Sequence, residues 1–423
     1  MELDRSKAPE FKVPEDFELS PPQKLTLENG ANLFFTYTPN LEVVKIEVIG
    51  LGKKASLPLS QHLIPEFALA LLQEGISTLN GEELAEYFDF HASEISPIQT
   101  FSHEGLSLLT TKAHLNPVLE VFLKLFTEAT YPQEALEKRK SQKKLGIKLQ
   151  KEKSSIRATQ LFRQSLFGLD HPYGTIPLEE HVDEVTQDRL FFYYREMLWQ
   201  EMEIFVSGKL SESELQQLTF KLGKLPNRKA TNQTLLPDSK TQLLWEESRE
   251  NAVQSSIRMG CLSIPKTHPD YIGLSVFNTI LGGYFGSRLI KNIREDKGHT
   301  YGIFSSLGEI GDINYWVVAA DVQKAFYQEV IDEIYLEIDR LIEEPTSDDE
   351  IEVVRNYMIG QMLSRFSSSF DLMDRFRSVH QSGLDFNFYF DKLGYLKTFT
   401  TEDIQAIGRK YFKEKDFVRI VVG

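Results

Sequence analysis

The sequence predicts an α+β protein of two similar domains, each a mostly antiparallel sheet with helices packed on one face. Three observations carry that expectation. At 423 residues the chain exceeds one ordinary core and suits two domains of about 200 residues. A long internal repeat divides it into halves. Within each half, strand-type segments come first and helical periods follow, which is the order expected of a sheet with helices packed against it.

The repeat is read from two 23-residue segments, TQDRLFFYYREMLWQEMEIFVSG from Thr186 to Gly208 and TEDIQAIGRKYFKEKDFVRIVVG from Thr401 to Gly423. Both run Thr-x-Asp, helix, polar break, β-rich strand, Gly, at an offset of 215 residues. Thr186 and Thr401 are the expected N-caps, with Asp188 and Asp403 complementing the helix dipole. The runs Ile204-Phe205-Val206 and Ile420-Val421-Val422 are of buried-strand type. At the same offset, Tyr131-Pro-Gln-Glu-Ala-Leu-Glu and Thr346-Ser-Asp-Asp-Glu-Ile-Glu each open a long charged helix. A period this long means a duplicated domain, since solenoid repeats run about 20–50 residues.

Strand signals fill in the rest. Lys24 to Tyr37 holds two β-rich runs around the hairpin pair Asn29-Gly30. Val44 to Ile49, Gly105 to Lys112, Ser255 to Gly260 and Tyr315 to Ala320 read as strands. Asn116-Pro117 reads as an N-cap followed by Pro at N1, leading Val118, Leu119, Phe122, Leu125 and Phe126 at helical spacing. Polar, turn-rich residues 221–248 read as a linker. The expected divisions are an arm over 1–21, a first domain over 22–220, that linker, and a second domain over 249–423.

Composition narrows the function. A formal charge of −15 repels phosphate backbones, so nucleic acid is not an expected partner. No apolar run approaches the roughly 20 residues that span a bilayer, so no membrane role is expected. The start lacks a basic-then-apolar signal layout, which suggests the cytoplasm, or the periplasm if a leader was removed before this numbering. Cys261 is the single cysteine, so neither an intrachain disulfide nor a Cys-based metal cluster can form.

Two stretches carry a resemblance. Leu281-Gly-Gly-Tyr-Phe-Gly-Ser-Arg-Leu, followed by Arg294-Glu-Asp-Lys-Gly-His-Thr-Tyr301, resembles the LGG-x-F-x-SRL and R-E-x-x-G-x-x-Y signature of the pitrilysin/insulinase-like M16 peptidases. Leu166-Phe-Gly-Leu-Asp-His-Pro-Tyr-Gly174 is similar to that family's LFG-x-x-HPYG stretch. The resemblance covers nearly the whole chain from about Pro22 and implies the duplicated M16 architecture.

In catalytic members, His-x-x-Glu-His on a first-half helix supplies two zinc ligands and the water-activating Glu, and a later Glu completes the shell. By resemblance the motif falls on Glu66 to Ala70, placing Glu66 and Ala70 at the His positions and Leu69 at the Glu position. The later ligand falls near Gly146. No zinc is therefore expected in this chain. The fragments around His91 and His181 each lack one His of the motif and read as surface or packing residues. Cys261 reads as core, and Leu281-Gly-Gly-Tyr-Phe-Gly, lacking Lys-Ser/Thr, as a turn rather than a phosphate cradle.

Arg294 and Tyr301 match the two second-half residues that catalytic M16 assemblies bring to the active site. The resemblance implies a non-catalytic subunit that supplies both in trans to a partner bearing His-x-x-Glu-His and zinc, with peptides as substrates. The alternative is a non-proteolytic peptide-binding or structural scaffold, homodimeric in isolation. In that case Arg294 would pair with Glu295 or Asp296, and Tyr301 would fill a core.

Overall fold

A computed structural model describes residues 19–230 and 243–423. Most of the expected arm and residues 231–242 of the expected linker lie outside these. No described helix is long and apolar enough to cross a membrane.

In the first half, β1 (Gln23–Thr26) and β2 (Asn32–Tyr37) pair antiparallel across Asn29-Gly30. Gly30 adopts φ +80°, a conformation that favours glycine. After β3 (Val43–Leu51) comes α1 (Ile64–Ala70), started by Pro65 and closed by a 3-10 turn at Leu72–Glu74. A two-residue hairpin, β4 (Gly75–Ile76) and β5 (Leu79–Asn80), leads into α2 (Gly81–Phe90), which is capped reciprocally by Asn80 and Glu83. Then follow β6 (Glu94–Gln99), β7 (His103–Thr111), α3 (Leu115–Lys124), α4 (Gln133–Glu152), α5 (Ser154–Phe167), α6 (Glu179–Asp183) and α7 (Gln187–Phe192). The half ends with β8 (Glu203–Gly208) and α8 (Glu212–Leu222).

The second half repeats the plan. It contains β9 (Leu244–Glu247), β10 (Gln254–Ser263), α9 (Tyr271–Asn278), β11 (Thr300–Ile310) and β12 (Ile313–Gln323). Five helices follow: α10 (Tyr327–Glu343), α11 (Asp348–Ser364), α12 (Ser369–His380), α13 (Asn387–Thr398) and α14 (Thr401–Tyr411). The chain closes with β13 (Val418–Val422).

Sheet order makes the duplication explicit. The first sheet runs β1-β2-β8-β3-β7-β6 and the second β11-β12-β10-β13-β9. With β1 set aside, β2-β8-β3-β7-β6 matches β9-β13-β10-β12-β11, including the one parallel pair in each. The starts of α4 and α11, and of α5 and α12, are each 215 residues apart. The strand β9 falls inside the 221–248 span and pairs with β13 in the second sheet.

Two caps differ from the sequence reading. Thr186 caps α7 by accepting from the Arg189 N–H at 3.3 Å. Its counterpart is Thr400, not Thr401. Thr400 accepts from the Asp403 N–H while the Asp403 carboxylate accepts from the Thr400 N–H. Thr401 instead accepts from the Thr346 N–H at 2.8 Å. Asn116 is not an N-cap either: α3 begins at Leu115, straight out of a 3-10 turn over Lys112–His114. Pro117 is still tolerated, because the first N–H groups of a helix have no intrahelical acceptor.

Each sheet has its own helices on one face and a single helix from the other half on the opposite face. On β13, Val418, Ile420 and Val422 pack with Ala158, Leu161 and Phe162 of α5, while Val421 joins the second-half core. On the first sheet, Phe34, Ile49 and Phe205 face Phe376 of α12, and their strand neighbours fill the first-half core. This two-sided burial explains the continuous apolar runs in β8 and β13, where a half-exposed strand would alternate. Further ties join the halves. Glu47 on β3 contacts Arg377 at 2.5 Å and Lys45 at 3.2 Å, and Asp374 contacts Lys45 at 3.0 Å. Tyr173 of the HPYG stretch lies against Gly311, where a Cβ would stand 1.8 Å from its hydroxyl.

Glu104 on β7 is buried against Tyr193, whose hydroxyl donates to its carboxylate at 2.7 and 2.8 Å. Burial pushes this carboxyl from near 4.5 up to about 8. A pKa raised on folding means stability that is full below the ordinary carboxyl range and lost as pH rises through about 8. Urea titrations at intervals from pH 5 to 9 should show wild type losing stability relative to Glu104→Gln, with a slope of up to about 1.4 kcal/mol per pH unit. Parallel profiles for the two proteins would contradict this.

Candidate functional site

The four positions that the resemblance assigns to a lost zinc site lie on two elements, Glu66, Leu69 and Ala70 on or at the end of α1 and Gly146 on α4. Short α1 buries Phe67, Ala68 and Leu69 in the first core, leaving Glu66 and Ala70 partly exposed. Opposite, α4 brings Lys143, one helical turn before Gly146. The Lys143 Nζ donates to both Glu66 carboxylate oxygens at 2.7 Å. An ammonium therefore occupies the carboxylate at the position that the resemblance assigns to the first zinc-binding His. Leu69 and Ala70 offer no donor atom. Gly146 has no side chain, and a Cβ added there meets nothing within 4 Å.

The surroundings are also unsuited to a cation. Lys54 is pushed down to about 8, chiefly by burial and then by Arg163, with Glu66 acting the other way. His62, four residues before Glu66, is held neutral near 4 by burial and then by Lys54, and its Nε2 contacts the Leu57 carbonyl at 3.1 Å. A catalytic zinc needs about three protein ligands. One already-paired carboxylate, two aliphatic side chains and a glycine do not fit it. Among the described residues, no group of three or more His, Cys, Asp or Glu is placed to hold a metal ion.

The other sequence candidates have structural roles. His91 contacts the Tyr87 carbonyl at 2.8 Å and stacks edge-on with His114. His181 accepts from the Leu178 N–H at 3.3 Å. Cys261 is buried, which raises its thiol to about 11.

In the second half, the Leu281-Gly-Gly stretch is a π-helical turn over Thr279–Gly283 rather than a simple turn. Gly282 lies so close to β11 that a Cβ would stand 2.8 Å from the Ser305 nitrogen and Oγ. Asn278 fastens this junction. It donates to the Ser305 carbonyl at 3.3 Å and accepts from the Trp316 indole at 3.0 Å. Arg288 is locked bidentately onto Glu350 at 3.0 and 2.8 Å, and Lys297 onto Glu329 at 2.7 Å.

Arg294, on the second π-helical turn (Ile290–Asp296), is held differently. It makes no ion pair among the described residues, and its guanidinium lies 4.9 Å from the centroid of the exposed Phe285 ring. The expected alternative pairing with Glu295 or Asp296 is not formed. Tyr301 follows at the start of β11, where the register with β12 shifts between Thr300 and Ile303. Such an irregularity re-aims a side chain. The Tyr301 side chain is 90% exposed and fills no core. Its strand is a sheet edge, with one side unpaired by any described strand.

Sequence reasoning singled out Arg294 and Tyr301 through their motif but did not reach Lys143 or Phe285. Lys143 sits within a helix dense in lysine, and nothing local distinguishes the one that meets Glu66. No hydrogen bond or ion pair among the described residues joins Glu66 to Arg294 or Tyr301.

Comparison with known proteins agrees with this geometry. Residues 184–358 match the family model described as the peptidase M16 inactive domain. The chain is 22% identical over 357 residues to the uncharacterized zinc protease YmxG of Bacillus subtilis, covering 84% of this chain and 86% of that protein. It is also 22% identical over 241 residues to the probable inactive metalloprotease YmfF of B. subtilis, covering 55% of this chain and 54% of that one. The crystal structure of a peptidase M16 inactive domain from Pseudomonas fluorescens superposes with a TM-score of 0.84 at 19% identity, over 95% of this chain and 98% of that one. The duplicated sheets and these matches give the chain the fold of the M16 peptidases, and its residues 184–358 are similar to that family's inactive domain.

Proposed function

We propose that the chain is the non-zinc-binding subunit of a heterodimeric M16-type peptidase. It forms half of a peptide-binding chamber and supplies Arg294 and Tyr301 to the partner's active site. The observation that carries this reading is Tyr301, 90% exposed at an irregular point of an edge strand, seven residues after an arginine that forms no ion pair among the described residues. A tyrosine with no intramolecular purpose gains nothing from that position, whereas a hydroxyl that must reach a bound peptide requires it.

The chemistry follows from the side chains. The open edge of β11 can accept a peptide as an added strand through main-chain hydrogen bonds. Arg294 offers a planar fork to the peptide's carbonyls, and its seat on Phe285 limits its motion. Tyr301 donates its hydroxyl hydrogen to the scissile carbonyl oxygen as negative charge develops there, a term of roughly 2.7–4 kcal/mol. Zinc held by the His-x-x-Glu-His of the partner would supply the activated water.

The chain purified without chelator is expected to contain no stoichiometric zinc and to leave a quenched peptide library uncut. Mixed with a His-x-x-Glu-His partner, it should sustain cleavage. One tightly bound zinc per chain, with chelator-sensitive cleavage by the chain alone, would contradict the proposal.

A further inference from the structure

A cavity in the second half is lined by neither Arg294 nor Tyr301. It has a volume of about 300 Å³ and is bounded by α9, α11, α12, α13 and the Thr279–Gly283 turn. Four cations line it: Lys266, Arg365, Arg375 and Lys392. No Asp or Glu does. That is an unusual local composition for a chain of formal charge −15.

Of the four, Lys266 is engaged by Glu309 at 2.7 Å and Ser382 at 3.3 Å. Arg365, Arg375 and Lys392 form no ion pair and no side-chain hydrogen bond among the described residues. The Nε of Arg375 is buried without a hydrogen-bond partner. Leaving such a donor unmade inside a protein costs about 1–3 kcal/mol, and more for a charged group. The Lys392 ammonium is pushed down to about 8, first by burial and then by Arg365. All three cations thus line the cavity without a direct ion pair; Arg375 feels the Asp371 carboxylate, Arg365 reaches solvent and Lys392 is half-buried. The remaining wall is largely aromatic, with Tyr271, Phe388 and Tyr389 among its residues.

We propose that this cavity binds a small oxyanion, a carboxylate or phosphate, carried on an aromatic or apolar body. The anion would take the donors of Arg365, Arg375 and Lys392, and the body would lie against the aromatic wall. The volume is at the lower end of small-molecule sites, so the ligand is of single-ring size. Guanidinium forks suit planar carboxylate and tetrahedral phosphate alike. The site shares no residue with the proposed Arg294/Tyr301 function, and the two stand or fall separately.

Calorimetric titration of the purified full chain with phenyl phosphate, benzoate, inorganic phosphate and phenol tests this. Phenyl phosphate or benzoate should bind saturably, about tenfold or more tighter than inorganic phosphate, as burial of one ring allows. Phenol, without the charge, should not bind measurably. Whichever of the two aryl anions binds more tightly identifies the headgroup. Lys392→Met and Arg365→Met should each weaken that ligand about 10-fold or more, the value of one charged hydrogen bond. Arg294→Ala should leave it unchanged. Replacing a half-buried, unpaired lysine should not harm folding, and a thermal melt of Lys392→Met alone checks that. No saturable binding of either aryl anion at millimolar concentration would overturn the proposal, as would equal affinity in wild type, Lys392→Met and Arg365→Met.

Discussion

Tyr301→Phe is expected to lower turnover by the reconstituted pair about 10²–10³-fold, the usual loss of one oxyanion donor, with little change in the thermal melt of the chain itself. The 90% exposure of the side chain is the reason stability should hold: the hydroxyl has no hydrogen-bond partner within the described chain to lose. Arg294→Ala is expected to raise KM and lower kcat together, because that residue positions the peptide backbone before and during reaction. It also uncovers Phe285, so its melt should be recorded beside its kinetics. A scaffold role predicts the reverse pattern, with unchanged kinetics for both variants. Steady-state kinetics of each variant with the zinc-bearing partner separates the two.

Arg377→Met is expected to destabilise the chain by about 3 kcal/mol, because it leaves Glu47 buried with one cation in place of two. Glu47 lies on the first sheet and Arg377 on the helix that the second half lays across it. The loss should therefore appear as weaker docking of one half on the other. Glu47→Leu combined with Arg377→Met should recover most of the stability, since a well-packed apolar pair often matches a buried ion pair. Urea unfolding of the single and double variants measures both. A single variant within about 0.5 kcal/mol of wild type, the range of ordinary surface changes, would contradict this role.

Much of the fold was legible because the duplication preserves spacing. The 215-residue offset read from Thr186–Gly208 and Thr401–Gly423 recurs in the starts of α4 and α11 and of α5 and α12. The Thr400 cap was also legible, since Thr400 and Asp403 have the Thr-x-x-acid spacing of a capping box. Alignment of the two repeats on Thr186 points instead to Thr401. The exchange of α5 and α12 between sheets was not legible. Nothing in an amphipathic helix says which of two equivalent sheets it will cover. The Glu66–Lys143 pair spans 77 residues, and the cavity cations come from separate helices and a loop, so no local pattern brings them together. Arg294 and Tyr301 were legible through their motif. Their exposure was not, because it depends on β11 being a sheet edge.

The central claim is that this chain completes another chain's active site, and one titration tests it most directly. The partner bearing His-x-x-Glu-His is held at fixed concentration with a quenched peptide, and this chain is added in increasing amounts. Cleavage should rise from near baseline and saturate at one chain per partner. Cleavage by the partner that is already full, and flat across the titration, would contradict the claim.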